Sequence, residues 1–146
     1  MRSIALSALW LIALCYSGEL APSLKASEAK PPHLLIELNA LAQKNAACRV
    51  SFLMQNNLTS PIEELVLEVV LFDQAHQVTS LLVIKSRTLP VKKNRVRQYD
   101  LKNIACQTIS RFLINDVKVC KGQSLSPQFC LKALTLNSRT TAKLGS

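Results

Sequence analysis

Apolar and polar positions alternate along most of this chain with a period of two. Cys48, Val50, Phe52 and Met54 face one way, and Arg49, Ser51 and Gln55 face the other. Further on, Leu65, Leu67, Val69 and Leu71 share a face opposite Glu64 and Glu68. Such alternation predicts half-buried β-strands, because successive side chains of a strand point to opposite sides. Val78 to Ile84 is an apolar run too short for an ordinary helix. Arg95 to Leu101, Thr108 to Val119 and Leu131 to Ser138 read as further strands. The segment before them fits two templates. Leu34, Ile36, Leu38 and Ala40 alternate with Leu35, Glu37, Asn39 and Leu41, yet Leu34, Leu38 and Leu41 also form a helical stripe. Strand is the better fit over residues 34–42, and helix stays open.

Turn formers separate these segments. Asn56 to Pro61 (NNLTSP), Asp73 to Gln77, and Thr88 to Lys93 with Pro90 inside it all punctuate the pattern. About seven short strands with turns between them predict an all-β fold, an antiparallel sandwich.

The N-terminus has the grammar of a signal peptide. Arg2 precedes a 13-residue apolar run, Ile4 to Tyr16, which is shorter than the roughly 20 residues of a bilayer span. Ser17, Gly18, Ala26 and Ala29 are all small enough for cleavage, and a cut after Ala26 is adopted. Leu14 before Cys15 argues against a lipoprotein anchor, which wants a small residue there. The expected organisation is a signal at 1–26, a flexible lead-in at 27–33, a β-sandwich domain at 34–140 and a C-terminal tail at 141–146. No other segment is expected to cross a membrane.

Cys48, Cys106, Cys120 and Cys130 remain after the signal, an even number without CxxC spacing. In a short exported chain that reads as two disulfides rather than a metal or redox site. Tracing antiparallel strands assigns their partners. Cys48 starts a strand at one end of the sandwich, and three further passes return the chain to that end at Cys106. The strand from Thr108 then rises to Cys120 at the other end, from which Cys130 opens the last strand. The predicted pairs are Cys48–Cys106 and Cys120–Cys130.

Nothing in the chain predicts catalysis, a cofactor or a metal. His33 lies in the lead-in and His76 at a hairpin tip, neither beside a nucleophile. Glu64 and Glu68 stand roughly 13 Å apart at strand rise, too far for a joint acid–base pair. Asp73 reads as a turn residue bonding local backbone. Asn115-Asp116 interrupts an apolar strand and reads as a β-bulge or as an edge where two polar groups reach water. The aromatics after the signal are Phe52, Phe72, Tyr99, Phe112 and Phe129, a thin set for stacking bases, so nucleic acid is disfavoured.

Charge is the feature closest to a function. The chain carries a net charge of +9. Lys85, Arg87, Lys92, Lys93, Arg95, Arg97 and Lys102 fall within 18 residues, opposed only by Asp100. They are expected to flank a single hairpin and to present cations on one edge of the domain. Such a field attracts anionic partners: anionic lipid, lipopolysaccharide, acidic glycans or an acidic protein. Equally, Lys and Arg protect an exposed edge from pairing with other chains.

Val50 to Val78 (VSFLMQNNLTSPIEELVLEVVLFDQAHQV) resembles the core motif of bacterial exported immunoglobulin-like modules of the FxLYD kind. The matching positions are Asn56, Leu67, Val69, Leu71, Phe72 and Asp73, and Ala75-His76 stands where that family usually has Gly in the hairpin. The resemblance implies an immunoglobulin-like sandwich acting as an adhesive or accessory domain without catalysis. It also implies a bacterial periplasm or cell exterior. The expected partner is an envelope protein or, alternatively, an anionic surface of lipid or lipopolysaccharide met through the basic residues 85–102.

Overall fold

A computed structural model describes residues 30–146, so the expected signal peptide and Cys15 lie outside the described residues. Eight strands form two four-stranded sheets. They are β1 (Leu34–Lys44), β2 (Ala47–Asn56), β3 (Glu64–Asp73), β4 (Val78–Ser86), β5 (Asn94–Lys102), β6 (Ile109–Lys121), β7 (Leu134–Ser138) and β8 (Lys143–Gly145). One sheet has the order β5-β2-β1-β7 and the other β4-β3-β6-β8. The chain switches sheets between β2 and β3, β4 and β5, β5 and β6, β6 and β7, and β7 and β8. This is a β-sandwich, as the alternation predicts.

The inner faces carry the predicted side chains. Cys48, Val50, Phe52 and Met54 from β2 meet Leu65, Leu67, Val69 and Leu71 from β3, and all eight are buried. Phe52 packs edge-on against Phe112 of β6 at 6.0 Å and against Tyr99 of β5 at 6.2 Å between ring centroids. Edge-to-face rings fill a two-sheet core while keeping quadrupoles complementary.

Residues 34–44 are a strand, and a bulge explains their helical look. The pairing with β2 shifts between Leu38 and Ala40, so Leu38 lies opposite Phe52 and Leu41 opposite Val50. Both partners face the core, so the extra Asn39 returns Leu41 to the inner face. An inserted residue thus turns a two-residue step into a three-residue step that imitates a helix. In β6 the same device occurs three times, with register shifts at Val66/Leu67, Glu68/Val69 and Phe72/Asp73 of β3. Asn115 is the extra residue of the middle shift, which makes the Asn115-Asp116 pair a bulge.

The C-terminal third departs from the expectation. Leu131 and Lys132 belong not to a strand but to a short helix, α1 (Pro127–Lys132). Ser126 caps it by accepting a bond of 3.2 Å from the Phe129 N–H, and Pro127 at its first turn needs no donor partner. The strand expected from Leu131 begins only at Leu134, as β7, and it joins β1 in parallel rather than antiparallel. Residues 141–146, expected as a tail, contribute β8, parallel to β6. Ala142 between β7 and β8 is buried, which fixes this second crossing.

The cysteines pair as Cys48–Cys106 and Cys120–Cys130, the partners that the strand tracing assigns. Their Cα atoms are 4.9 and 6.4 Å apart. The second bridge ties β6 to α1, because Cys130 lies in the helix rather than at the start of a strand.

Candidate functional site

The two sheets stack so that β4 and β5, each an edge strand, lie on the same side of the sandwich. On the opposite side the edges are β7 and β8, only five and three residues long. The β4/β5 side is therefore the open side of the domain.

The expected basic hairpin is not a hairpin. β4 and β5 belong to different sheets, and residues 87–93 cross between them. A local anchor explains the crossing. Leu89 is fully buried and pairs with Ile62 through backbone bonds of 3.1 and 2.8 Å. Asn56, also buried, donates from Nδ2 to the carbonyls of Ser60 and Leu89, each at 2.9 Å, and its Oδ1 accepts from the Leu58 N–H at 3.0 Å. The Lys92 N–H donates to the Asn56 carbonyl at 2.7 Å. The linker is thus held against the 57–63 segment and cannot fold back in the plane of β4.

Six of the seven cations gather at this end of the open side, and one does not. β4 and β5 run in opposite directions, and the Tyr99 hydroxyl donates a bond of 2.8 Å to the Lys85 carbonyl. That bond sets their relative level, so Arg97 and Arg95 lie alongside residues 87–89, past the Ser86 end of β4. Lys85, Arg87, Lys92 and Lys93 share that end. Lys102, five residues beyond Arg97, is roughly 17 Å further along β5 and belongs to the other end of the domain. Opposite Met54 and Phe52, Arg95 and Arg97 sit on the inner face of their sheet where it opens to solvent.

None of the seven makes an ion pair among the described residues. Asp100, the one acid within the basic stretch, is bound elsewhere. It faces Arg49 across β2 and accepts two guanidinium bonds of 2.7 and 2.8 Å, which hold its carboxyl below the usual range. Arg97 has its Nε buried without a hydrogen-bond partner, while its Nη1 donates to the Val96 carbonyl at 3.1 Å. Glu63 and Glu64 line the same cleft as Lys85 and Arg87, and Glu64 is paired with Lys121, so the six cations outnumber the acids beside them and leave a net positive field at this end.

Apolar side chains adjoin it. On the outer face of β4, Leu81 is 59% and Val83 56% exposed, and Val78 at the far end is 62% exposed. Beside Leu81, Val70 of β3 is buried and Leu113 of β6 beyond it is half-buried, so the exposed apolar side chains are those of β4 itself. Sequence reading missed this face, because it took Val78 to Ile84 only as an apolar run too short for a helix and assigned it no exposed side. The signal was the position of the run beside the basic stretch, which marks the end of the sheet rather than its middle.

The other candidates have structural roles. His76 has φ 60° at the tip of the β3–β4 hairpin, a left-handed conformation that favours glycine. There Asp73 Oδ1 accepts from the Gln77 N–H at 2.9 Å, as a turn residue does. His33 bonds the Pro31 carbonyl through Nδ1 and the Asn57 side chain through Nε2. Glu64 pairs with Lys121 at 2.7 Å. Glu68 is held by Asn115 and by Lys118 at 3.2 Å. Hydrogen bonds lower both carboxyls, from Lys121 to Glu64 and chiefly from Asn115 to Glu68. No three metal-ligating side chains converge among the described residues. No described helix is long and apolar enough to cross a membrane.

One buried charge escaped sequence reading. Glu37, 4% exposed on the outer face of β1, accepts from Asn39 at 2.9 Å, Asn137 at 2.8 Å and Arg139 at 2.8 Å. These partners, Asn39 foremost, hold its carboxyl below the ordinary value against the opposing effect of burial. With three hydrogen bonds, two to Oε1 and one to Oε2, Glu37 fastens β7 to β1.

No protein-family model matches the chain, and no curated protein matches it. Among solved structures, IrmA from Escherichia coli is similar, with a TM-score of 0.54 and 9% sequence identity. The match covers 73% of this chain and 92% of that one, and at such low identity it is a likeness of fold alone.

Proposed function

We propose that this protein is an exported, non-catalytic β-sandwich module of the bacterial envelope that binds a partner protein through its open side. The observation that carries the reading is β4, an edge strand whose outer face exposes Val78, Leu81 and Val83. Exposed apolar side chains grouped on one face and rimmed by charge mark interaction surfaces. Two disulfides suit an oxidising compartment outside the cytoplasm, and the resemblance to FxLYD modules supports an accessory role.

Mild crosslinking in cells, with bound proteins read by mass spectrometry, tests this. A defined envelope protein crosslinked to Lys85, Lys92 or Lys93 is the expected result. Recovery of lipid alone overturns it, as does turnover of a substrate.

A second reading has its own observation. The six clustered cations make no ion pair among the described residues, which fits attraction to anionic lipid or lipopolysaccharide. In that case the contact is the cation cluster and not the face of β4.

A further inference from the structure

Of the four edge strands in this sandwich, three are guarded against pairing with other chains. β7 and β8 are short and lie together on the closed side. β5 carries Arg95, Arg97, Asp100 and Lys102, the charges that natural edges use to repel an incoming strand. β4 has nine residues, no proline and no charge before Lys85. It is the edge the sequence leaves unguarded.

The backbone direction of β4 follows from one bond. Lys85 offers its carbonyl to Tyr99 of the other sheet, so that carbonyl points away from β3. In an antiparallel strand alternate residues aim both backbone groups the same way. Leu81 and Val83 therefore present their N–H and C=O outward from the sheet edge, while Leu82, Ile84 and Ser86 bond to β3. The same two residues expose their side chains on the outer face. Free backbone groups and adjoining apolar side chains are the two elements of recognition by strand addition.

We infer that the β4 edge takes one added strand from a partner protein. That strand is an extended segment alternating apolar and polar residues, with acidic residues at the end beside Ser86. This rests on the protein-binding reading above and specifies its partner. Charge decides the occupant. Six cations against Glu63 and Glu64 lie at the Ser86 end, whereas the Val78 end has Asp73 beside Lys102. The larger cation excess at the first favours an acidic terminus there over the second. A second copy of this chain, with a net charge of +9, would bring more cations to the same side.

Amide exchange on the disulfide-intact protein tests the inference. The probes are blocked peptides of alternating Val and Thr over eight residues, with three Glu at either the N- or the C-terminus. One of the two should slow exchange of the Leu81 and Val83 amides at least tenfold, and which one binds reports parallel or antiparallel addition. Lys in place of Glu, or N-methylation of alternate peptide residues, should weaken binding at least tenfold. Val83→Pro removes an outward N–H that β3 does not use, and should abolish protection. Val83→Lys serves the same purpose if the proline variant does not fold. Unchanged exchange at Leu81 and Val83 overturns the inference, as does equal binding of the N-methylated peptide. Protection that grows with protein concentration alone, or on phosphatidylglycerol vesicles, overturns it in favour of a second copy or a membrane. A partner captured at Lys92 or Lys93 while Leu81 and Val83 exchange freely overturns strand addition but leaves the protein-binding reading standing. Capture of no protein removes both.

Discussion

The Asn56 side-chain amide donates to the Leu89 carbonyl at 2.9 Å, joining the end of one sheet to the linker that crosses to it from the other. Because both groups are buried, neither can exchange this bond for one to water. Asn56→Ala leaves the buried Leu58 N–H without its acceptor, at about 1–3 kcal/mol, and removes one of two donors from the Leu89 carbonyl, which keeps the Ile62 N–H. We expect a total loss of about 2–4 kcal/mol, read as a lower midpoint in urea denaturation. Asn56→Asp should be no better, since it sets a carboxylate against two carbonyls.

Acid should loosen the attachment of β7. Glu37 is depressed in the folded state by Asn39, Asn137 and Arg139. A depressed carboxyl stabilises the fold above its unfolded value, near 4.3, and that contribution fades as pH falls through the lower folded value. Glu37→Gln should therefore cost about 1–2 kcal/mol at pH 7, and the gap from the parent should narrow below about pH 4. Urea denaturation at stepped pH measures it. A constant gap down to pH 3 would mean that Glu37 acts through packing rather than charge.

The two disulfides should contribute unequally. Cys48–Cys106 closes 58 residues and Cys120–Cys130 only 10. Chain entropy assigns roughly 4 kcal/mol to the first and roughly 3 to the second. Paired Cys→Ser variants compared by thermal unfolding should rank in that order. Non-reducing peptide mapping checks the connectivity directly.

Replacing Lys92, Lys93, Arg95 and Arg97 with Gln separates the two functional readings. The fold should survive: Lys92 and Lys93 are exposed, where changes shift stability by about 0.5 kcal/mol, and Gln keeps a polar end at the half-buried Arg95 and Arg97, which bond only to the preceding carbonyl. Binding of the parent to anionic vesicles or lipopolysaccharide, if it is the function, weakens with salt and falls sharply in the variant. Equal binding by parent and variant would reduce the cluster to a solvated edge.

Much of this architecture is legible in the chain because alternation is a local property. Which face of β2 or β3 is buried follows from period two within ten residues. Once strand directions alternate, Cys48 and Cys106 must share an end, and so must Cys120 and Cys130. The sequence by itself determined the faces, the ends and the bridges. It also carried the Ser126-Pro127 start of α1, which a reading tuned to strands passed over.

What only the tertiary structure decided is which strands become neighbours. β4 and β5 read as one hairpin, but Leu89 finds its partner in Ile62, and that non-local contact sends β5 to the other sheet. Glu37 meets Arg139 across 102 residues, and no local pattern marks that pairing. Nor does the sequence say that Leu81 and Val83 face water, since an apolar run looks the same at the centre of a sheet and at its edge. Period two reports the direction of a side chain. Exposure depends on whether another strand lies beside it, and that is settled only when distant segments compete for the same core.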